Sequence, residues 1–282
     1  MKKIKYVIIT GCSTGIGYAT AKYLKEKKYK VIVSCRKNKD VKILSKEFNY
    51  SIQLDTSSSN SIKKAYILIK KIVKNNIIYG IFCNAGYGQY GAVEDLSRDL
   101  ISEQFETNIF GHIELVNLFI PLMRKQNEGR IIFNSSVLGL VSLPFSSAYN
   151  ATKFAMEAFG RSLRLELKRT NIKVSLIEPG PIEANFNVNA IKNLKRINID
   201  KSVYRKKYYK IMKYLDEGSN FFTLPAISVA KKVHIALKSK KPKTQYFVTL
   251  PTYVLSYLRI LPNPIFENFL SLLDHQRRKS EK

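Results

Sequence analysis

The chain has 282 residues, of which 45% are hydrophobic and 24% charged, a composition that excludes a wholly disordered chain. Its 48 Lys and Arg against 21 Asp and Glu give a net charge of +27. This leaves two interpretations open: an anionic partner, or a basic composition spread along the whole chain. Three cysteines and three histidines, widely separated in sequence, indicate neither a disulfide framework nor a metal site.

Short apolar runs alternate with longer amphipathic stretches along the chain. The runs predict strands at 6–10, 30–35, 51–54, 77–83, 130–134, 173–177 and 246–249, and the stretches between them predict helices at 17–28, 58–75, 101–124 and 148–170. Buried strands that are each followed by a helix form βαβ units. We therefore predict an α/β fold: a single doubly wound Rossmann domain with a seven-stranded parallel sheet and helices on both faces.

A glycine-rich loop follows the first predicted strand directly. It reads Thr10-Gly11-Cys12-Ser13-Thr14-Gly15-Ile16-Gly17, and a helix begins at its end. Glycines allow a tight turn and a close approach of the backbone, while the helix N-terminus offers free N–H groups to an anion. The loop therefore predicts a pyrophosphate site built by Gly11, Ser13, Thr14, Gly15, Ile16 and Gly17.

The end of the second predicted strand indicates which dinucleotide binds. NAD sites usually carry an acidic residue there, but this chain has Cys35 followed by Arg36 and Lys37. Because a guanidinium suits a 2′-phosphate, Arg36 favours NADP(H) over NAD(H), with a solvated Arg-Lys turn as the alternative. Asp55, after the third strand, is expected to bind the adenine edge.

The motifs occur together in a recognisable order. After the glycine loop come Asn84-Ala85-Gly86, Asn108, Ser135-Ser136, Tyr149-Asn150-Ala151-Thr152-Lys153 and Pro179-Gly180-Pro181-Ile182. This set resembles the short-chain dehydrogenase/reductase family, most closely its hydroxysteroid- and retinol-dehydrogenase-like members. The resemblance covers roughly residues 3–186.

The resemblance implies four catalytic residues. Tyr149 would be the general acid or base, Ser136 would hydrogen-bond the substrate oxygen, and Asn108 would position a water that connects Lys153 to solvent. Tyr149 and Lys153 share a helix face at i and i+4, so the ammonium is expected to lower the pKa of the phenol. The cofactor would contact Asn84, Ala85, Gly86, Tyr149, Lys153, Pro179, Gly180 and Ile182, and no metal is expected.

The remaining segments concern the substrate and the surroundings of the protein. Residues 1–250 are expected to form the catalytic domain, with a variable, aromatic and basic substrate lid at 183–225. Residues 251–282 would form an amphipathic helical extension. Apolar loops favour a hydrophobic or amphipathic carbonyl or alcohol as substrate.

We expect a homo-oligomer, a dimer or tetramer, that does not bind nucleic acid. The first apolar run is too short for a signal peptide, so we expect a cytoplasmic protein, with contact to a membrane surface left open. A non-catalytic NADP(H)-binding sensor and a basic protein associated with membrane or nucleic acid are the alternative functions.

Overall fold

The computed structural model describes residues 3–183, 186–217 and 221–270, so parts of the lid and the end of the predicted extension lie outside it. Its strands confirm the predicted α/β fold. They are β1 (Lys5–Ile9), β2 (Lys30–Cys35), β3 (Ser51–Gln53), β4 (Ile77–Cys83), β5 (Gly129–Asn134), β6 (Ile172–Glu178), β7 (Ile182–Glu183), β8 (Leu224–Pro225) and β9 (Gln245–Phe247). Seven of them form one parallel sheet in the order β3-β2-β1-β4-β5-β6-β9.

The strand order reverses at β1, which pairs with β2 on one side and β4 on the other. Ile9 is in register with Val33 and with Phe82, so the carboxyl ends of three strands meet at one point of the sheet edge. Crevices of this kind, at a topological switch point, are where open α/β sheets bind ligands. The glycine loop begins here.

Ten helices surround the sheet in the described residues. They are α1 (Gly15–Glu26), α2 (Asn38–Leu44), α3 (Ser59–Val73), α4 (Arg98–Phe105), α5 (Gly111–Lys125), α6 (Ser147–Glu166), α7 (Phe186–Leu194), α8 (Arg205–Glu217), α9 (Ile227–Lys238) and α10 (Leu250–Leu258), and a further helical stretch covers 263–270. The sheet has a buried core on each face: Ile8 and Phe119 belong to one, and Val7 and Val233 to the other. Burial on both faces explains the uninterrupted apolar runs in the sequence.

One predicted helix differs from the structure. The stretch predicted at 101–124 consists of α4 and α5, which are joined by a π-helical turn at Glu106–Phe110. A Cβ on Gly111 would lie 1.7 Å from the carbonyl oxygen of Thr56, so the chain packs against the β3 side without space for a side chain. Amphipathic periodicity alone cannot reveal such a turn, because it follows from tertiary contacts.

The two ends of the segment predicted as a lid lie side by side at the edge of the main domain. Strands β7 and β8 pair in parallel, with Ile182 opposite Leu224 and Glu183 opposite Pro225. This small ladder closes the segment predicted as a lid at 183–225, which carries α7 and α8. A separate apolar cluster, which includes Leu194 and Tyr208, packs the lid against the loop after β4.

The C-terminal region also reaches the sheet edge. Helix α10 begins at Leu250, beside the turn at Val137–Gly139. A Cβ on Gly180 would lie 2.1 Å from the hydroxyl oxygen of Thr249, so the start of this region packs directly behind the Pro179-Gly180 motif. In the described ranges, no helix is both long and apolar enough to cross a bilayer.

Candidate active site

The glycine loop forms a tight cradle at the end of β1. Gly11 has a φ of +69°, a conformation that favours glycine, and a Cβ on Gly17 would lie 2.2 Å from the carbonyl oxygen of Gly11. Thr14, the residue before α1, makes no side-chain capping bond, so the first N–H groups of the helix remain available to a ligand. Ser13 and Thr14 lie at the surface, and Gly15 and Ile16 form the first turn. This cradle fits the pyrophosphate of a dinucleotide.

The Asn84-Ala85-Gly86 turn is tied to that loop by several hydrogen bonds. The Thr10 hydroxyl accepts from the backbone N–H groups of Asn84 and Ala85 at 2.8 and 2.9 Å. The Asn84 amide donates to the carbonyl oxygens of Thr10 and Gly11 at 2.9 and 3.2 Å. The ends of β1 and β4 are therefore held as one rigid wall of the crevice.

Two residues predicted to contact the adenosine half lie at the other wall. Arg36 is exposed just beyond β2, and it is close enough to Tyr87 that its positive charge opposes the rise in the pKa of that phenol, which burial raises. The carboxylate of Asp55 accepts from the backbone and hydroxyl of Ser57 at 3.0 and 2.8 Å. Asp55 thus shapes its own turn, and its contact with adenine stays a prediction.

Three of the predicted catalytic side chains meet at the carboxyl end of β5. Tyr149 is buried on α6, and the hydroxyl of Ser136 hydrogen-bonds its phenol. The Ser136 hydroxyl also accepts from the N–H of Leu138 at 3.1 Å. The Nζ atom of Lys153 lies 5.4 Å from the centre of the Tyr149 ring. The i and i+4 spacing on α6 thus brings the ammonium and the phenol together.

The effect of this arrangement on acidity differs from the sequence prediction. Burial, followed by the neighbouring Tyr90, raises the pKa of Tyr149, and the Ser136 hydrogen bond only partly opposes it. Burial also lowers the pKa of Lys153 to about 8, against the attraction of Glu157. Because desolvation is the largest effect on both groups, the phenol stays protonated at neutral pH.

Asn108 lies in the π-helical turn and is fully buried. Its amide oxygen accepts from the N–H of Tyr87 at 3.2 Å, and its amide nitrogen donates to the carbonyl of Tyr87 at 3.0 Å and to the hydroxyl of Thr152 at 3.2 Å. A Cβ on Gly86 would lie 3.0 Å from its oxygen. Asn108 therefore joins the loop after β4 to the helix of Tyr149 and Lys153, and its role toward water stays a prediction.

The Pro179-Gly180 motif completes the edge of the site. The carbonyl oxygen of Pro179 accepts from the N–H of Val137 at 2.8 Å, so the turn after Ser136 and the turn after β6 are joined. Ile182 begins the short ladder at the base of the lid. The predicted nicotinamide contacts thus lie on the same sheet edge as Ser136.

Sequence reasoning missed two residues near this site, Asn134 and His112, and included a third, Phe186, only among the aromatic residues of the lid. Asn134 accepts a hydrogen bond from Lys153 through its backbone, and the buried imidazole of His112 contacts the carbonyl oxygen of Ala85 at 2.7 Å. The ring of Phe186 lies 5.4 Å from that of Tyr149. Only Asn134 carried a signal, since a polar residue that ends a buried strand lies at the edge where ligands bind.

The lid aromatics do not all serve one purpose. Phe186 contacts the Tyr149 ring, but Tyr208 is fully buried, where its hydroxyl donates to Asp95 at 2.5 Å and accepts from the N–H of Ala92 at 2.8 Å. Phe221 is 95% exposed. Phe186 therefore lies beside the phenol, while Tyr208 anchors the lid.

Comparison with known proteins points to one family. The sequence pattern described as "short chain dehydrogenase" matches residues 5–195. The chain is 39% identical over 269 residues to the uncharacterized oxidoreductase YbbO of Escherichia coli K12, with 94% of each protein covered. It is 33% identical to a probable short-chain type dehydrogenase/reductase, VdlC, of Helicobacter pylori (96% and 98% covered), and 28% identical to human 17-beta-hydroxysteroid dehydrogenase type 1 (96% and 85% covered).

Solved structures share the fold. A short-chain dehydrogenase from Streptomyces avermitilis superposes with a TM-score of 0.78 at 21% identity, with 99% of both chains covered. One from Burkholderia phymatum in complex with NAD gives 0.77 at 21% identity (91% and 92% covered). One from Sphingobium yanoikuyae in complex with NADPH gives 0.69 at 17% identity (86% and 87% covered). Both forms of the dinucleotide thus occur among proteins of this fold.

Proposed function

We propose that this chain, which belongs to the short-chain dehydrogenase/reductase family, uses NADP(H) to act on a hydrophobic carbonyl or secondary alcohol. The family membership makes it an oxidoreductase that acts on CH–OH or C=O groups. The observation that carries the proposal is the convergence of Ser136, Tyr149 and Lys153 beside the glycine loop. The bound nicotinamide would supply or accept a hydride at the substrate carbon. The protein would hold the substrate oxygen and move its proton.

Each catalytic side chain has a task that follows from its surroundings. The Ser136 hydroxyl would donate to the substrate oxygen and hold it beside the phenol. Tyr149 would donate its proton to that oxygen during carbonyl reduction, and its raised pKa keeps this proton in place until it is needed. Lys153 would bind the ribose next to the nicotinamide and keep positive charge near the phenol.

The preference for NADP(H) rests on charge. Arg36 is exposed at the end of β2, where a ribose 2′-substituent would lie, and a guanidinium there favours a phosphate. The cradle of α1 and the Asn84-Ala85-Gly86 wall would hold the pyrophosphate and adenosine ribose. Asp55 would face the adenine.

The apolar side chains around the Tyr149 phenol favour an apolar substrate. Phe186 packs on the phenol, and the loop after β5 presents Val137 and Leu138, which are partly exposed. Such a lining would select a flat or extended hydrophobic compound over a sugar.

Turnover tests the proposal directly. With NADPH and a panel of hydrophobic aldehydes and ketones, Tyr149→Phe should keep cofactor binding and lose about 100-fold or more in kcat. Tyr257→Phe, on the exposed face of α10, is the matched control. NADPH binding without turnover of any compound by the unmodified chain would favour the alternative, a dinucleotide sensor. Equal rates in the Tyr149→Phe variant and the unmodified protein would remove Tyr149 from its role.

Two surfaces support the remaining expectations about partners. Phe110, Phe154 and Phe159 are exposed on and beside α5 and α6, which suits contact with a second copy of the chain. Light scattering of the Phe159→Glu variant would test this contact.

A second surface lies in the C-terminal region, where Tyr257, Ile260 and Ile265 are exposed, which suits contact with a membrane surface. Sedimentation with anionic and neutral vesicles would separate membrane contact from a purely cytoplasmic protein.

A further inference from the structure

Two glutamates are buried directly behind the catalytic helix, and none of the roles above uses them. Glu157 lies one helical turn after Lys153 on α6, and Glu178 is the last residue of β6, just before the Pro179-Gly180 motif. The two residues are 5% and 0% exposed. Two carboxyl groups are rarely buried together unless their charges are compensated.

Only part of that compensation comes from neighbouring donors. The Gln245 amide, on β9, donates to Oε1 of Glu178 and, at 3.4 Å, to Oε2 of Glu157. Arg161 donates to the same Oε2 atom of Glu157 through Nε at 3.3 Å and Nη2 at 3.1 Å. One oxygen of each glutamate is therefore bonded, and Glu157 has a cation beside it.

The other carboxyl oxygen of each glutamate lacks a hydrogen-bond donor within the described part of the chain. Oε1 of Glu157 and Oε2 of Glu178 are buried, and no donor of the described residues reaches either of them. The Gln245 amide donates to both carboxyl groups, so the two lie side by side in the interior. Because two ionised carboxylates repel each other strongly in such a buried site, we infer that one of the pair is protonated and donates to the other.

The protonated member is Glu178. Burial, followed by the charge of Glu157 and only partly opposed by Gln245 and Arg161, raises the pKa of Glu178 to about 9. Arg161 lies beside Glu157 and offsets the negative charge that remains on the pair. The pair thus presents one negative charge to its surroundings at neutral pH.

This single charge acts on the catalytic lysine. The Nζ atom of Lys153 donates to the neutral backbone oxygen of Asn134, and burial lowers the pKa of the amine. Glu157 is the charged group that opposes this effect. Without that charge the buried amine would lose its proton at a lower pH.

We propose that Glu157 and Glu178 are positioning residues that share one proton, so that the pair supplies a single negative charge that keeps Lys153 cationic. The consequence for catalysis rests on the proposed function of Lys153, whereas the shared proton does not. Arg161, which donates twice to Glu157, places the charge of the pair on that residue, while Gln245 bridges the two carboxyl groups. Protonated Glu178 holds the end of β6, and with it Pro179 and Gly180, against α6.

The shared proton can be tested without any enzyme assay. In Glu178→Gln the amide can donate to the free oxygen of Glu157, as the protonated acid does. The infrared C=O band of a buried carboxylic acid should be present at pH 7 in the unmodified protein and missing in Glu178→Gln. Glu166→Gln, exposed on the same helix, is the matched control and should keep the band. A spectrum without this band in the unmodified protein overturns the proposal.

Stability against pH gives a second readout. A carboxyl whose pKa is higher in the folded than in the unfolded protein stabilises the fold fully below its unfolded pKa, and this contribution is lost as pH rises toward the folded value. The loss for Glu178 should extend from about pH 4.5 to about pH 9. The melting temperature of Glu178→Gln should therefore rise relative to the unmodified protein across this range. Parallel curves would contradict a proton held by this pair.

The link to Lys153 is tested by the pH profile of turnover. Glu157→Gln removes the charge, so the alkaline limb of kcat/KM for NADPH should move to lower pH by about one unit. Glu166→Gln should leave the limb in place. An unmoved limb in a folded Glu157→Gln protein overturns the link, whereas absence of turnover in the unmodified protein would count against the proposed function and leave the infrared test intact.

Discussion

The Nζ atom of Lys153 lies 2.6 Å from the backbone carbonyl oxygen of Asn134. The Asn134 amide donates in turn to the side-chain oxygen of Asn84 at 3.0 Å, and the Asn84 amide reaches the carbonyl oxygens of Thr10 and Gly11. Lys153 is thus connected through two asparagines to the loop that would hold the pyrophosphate. We expect a substitution at either end of this network to disturb the hydrogen bonds at the other end, since removing one member of a buried network breaks more than one bond.

The first prediction concerns the centre of this network. Asn84→Ala should lower the free energy of unfolding by about 1–3 kcal/mol, because the Asn134 amide and two backbone carbonyls lose their partner. It should also weaken NADPH binding, since the glycine loop loses its brace. Chemical denaturation and fluorescence titration measure the two effects. Asn171→Ala, which removes an exposed asparagine pair at the other end of the sheet, should change both values little.

Much of the fold could be predicted because its signal is local. Strands buried on both faces give apolar runs, and all seven predicted strands begin within one residue of those observed, with 30–35 and 77–83 matched at both ends. The glycine loop and the Tyr149–Lys153 spacing are also local. They predict the site because the proposed chemistry needs those residue types at those intervals.

The contacts that organise the site are not local. Lys153 and Asn134 are 19 residues apart, Asn84 and Asn134 are 50 apart, and Tyr208 and Asp95 are 113 apart. The direction of the Tyr149 pKa shift depends on how completely the fold excludes water from the phenol. Sequence spacing gives the distance to Lys153 along a helix and cannot give that burial.

The choice of dinucleotide should depend on Arg36. Arg36→Ala should weaken NADPH binding by about 10- to 100-fold, the value of lost charge-assisted hydrogen bonds, and should leave NADH binding nearly unchanged. Parallel titrations with the two cofactors measure the ratio. Lys39→Ala, exposed in α2, controls for the loss of a surface charge near the site. An equal effect on both cofactors would place the 2′-phosphate elsewhere.

The lid should depend on a single buried hydroxyl. Tyr208→Phe removes the bond to the Asp95 carboxylate and leaves the N–H of Ala92 without its acceptor. We expect the free energy of unfolding to fall by about 1–3 kcal/mol and KM for a hydrophobic substrate to rise. Tyr209→Phe, whose hydroxyl makes a 3.3 Å bond at the surface, should have a much smaller effect. Matching losses in the two variants would mean that Tyr208 does not anchor the lid.

The last prediction concerns acid stability. His112 is fully buried against the Asn84-Ala85-Gly86 wall, and burial lowers its pKa to about 4, with the charge of Lys153 acting in the same direction. The unfolded chain binds a proton at this histidine below about pH 6.5, and the folded protein does not until about pH 4. The contribution of His112 to stability is therefore intact above about pH 6.5 and is lost as pH falls to about 4, by about 3 kcal/mol in total.

His112→Gln separates this effect from other acid-sensitive groups. A glutamine amide can donate to the Ala85 carbonyl as the imidazole N–H does, but it cannot take up the proton. Urea unfolding at pH 4.5 and 7 should show a smaller loss of stability in the variant than in the unmodified protein. His234→Gln, at a half-buried position on α9 where burial also lowers the pKa, should recover less. If His112→Gln loses as much stability in acid as the unmodified protein, the histidine is not the group that carries this part of the pH dependence.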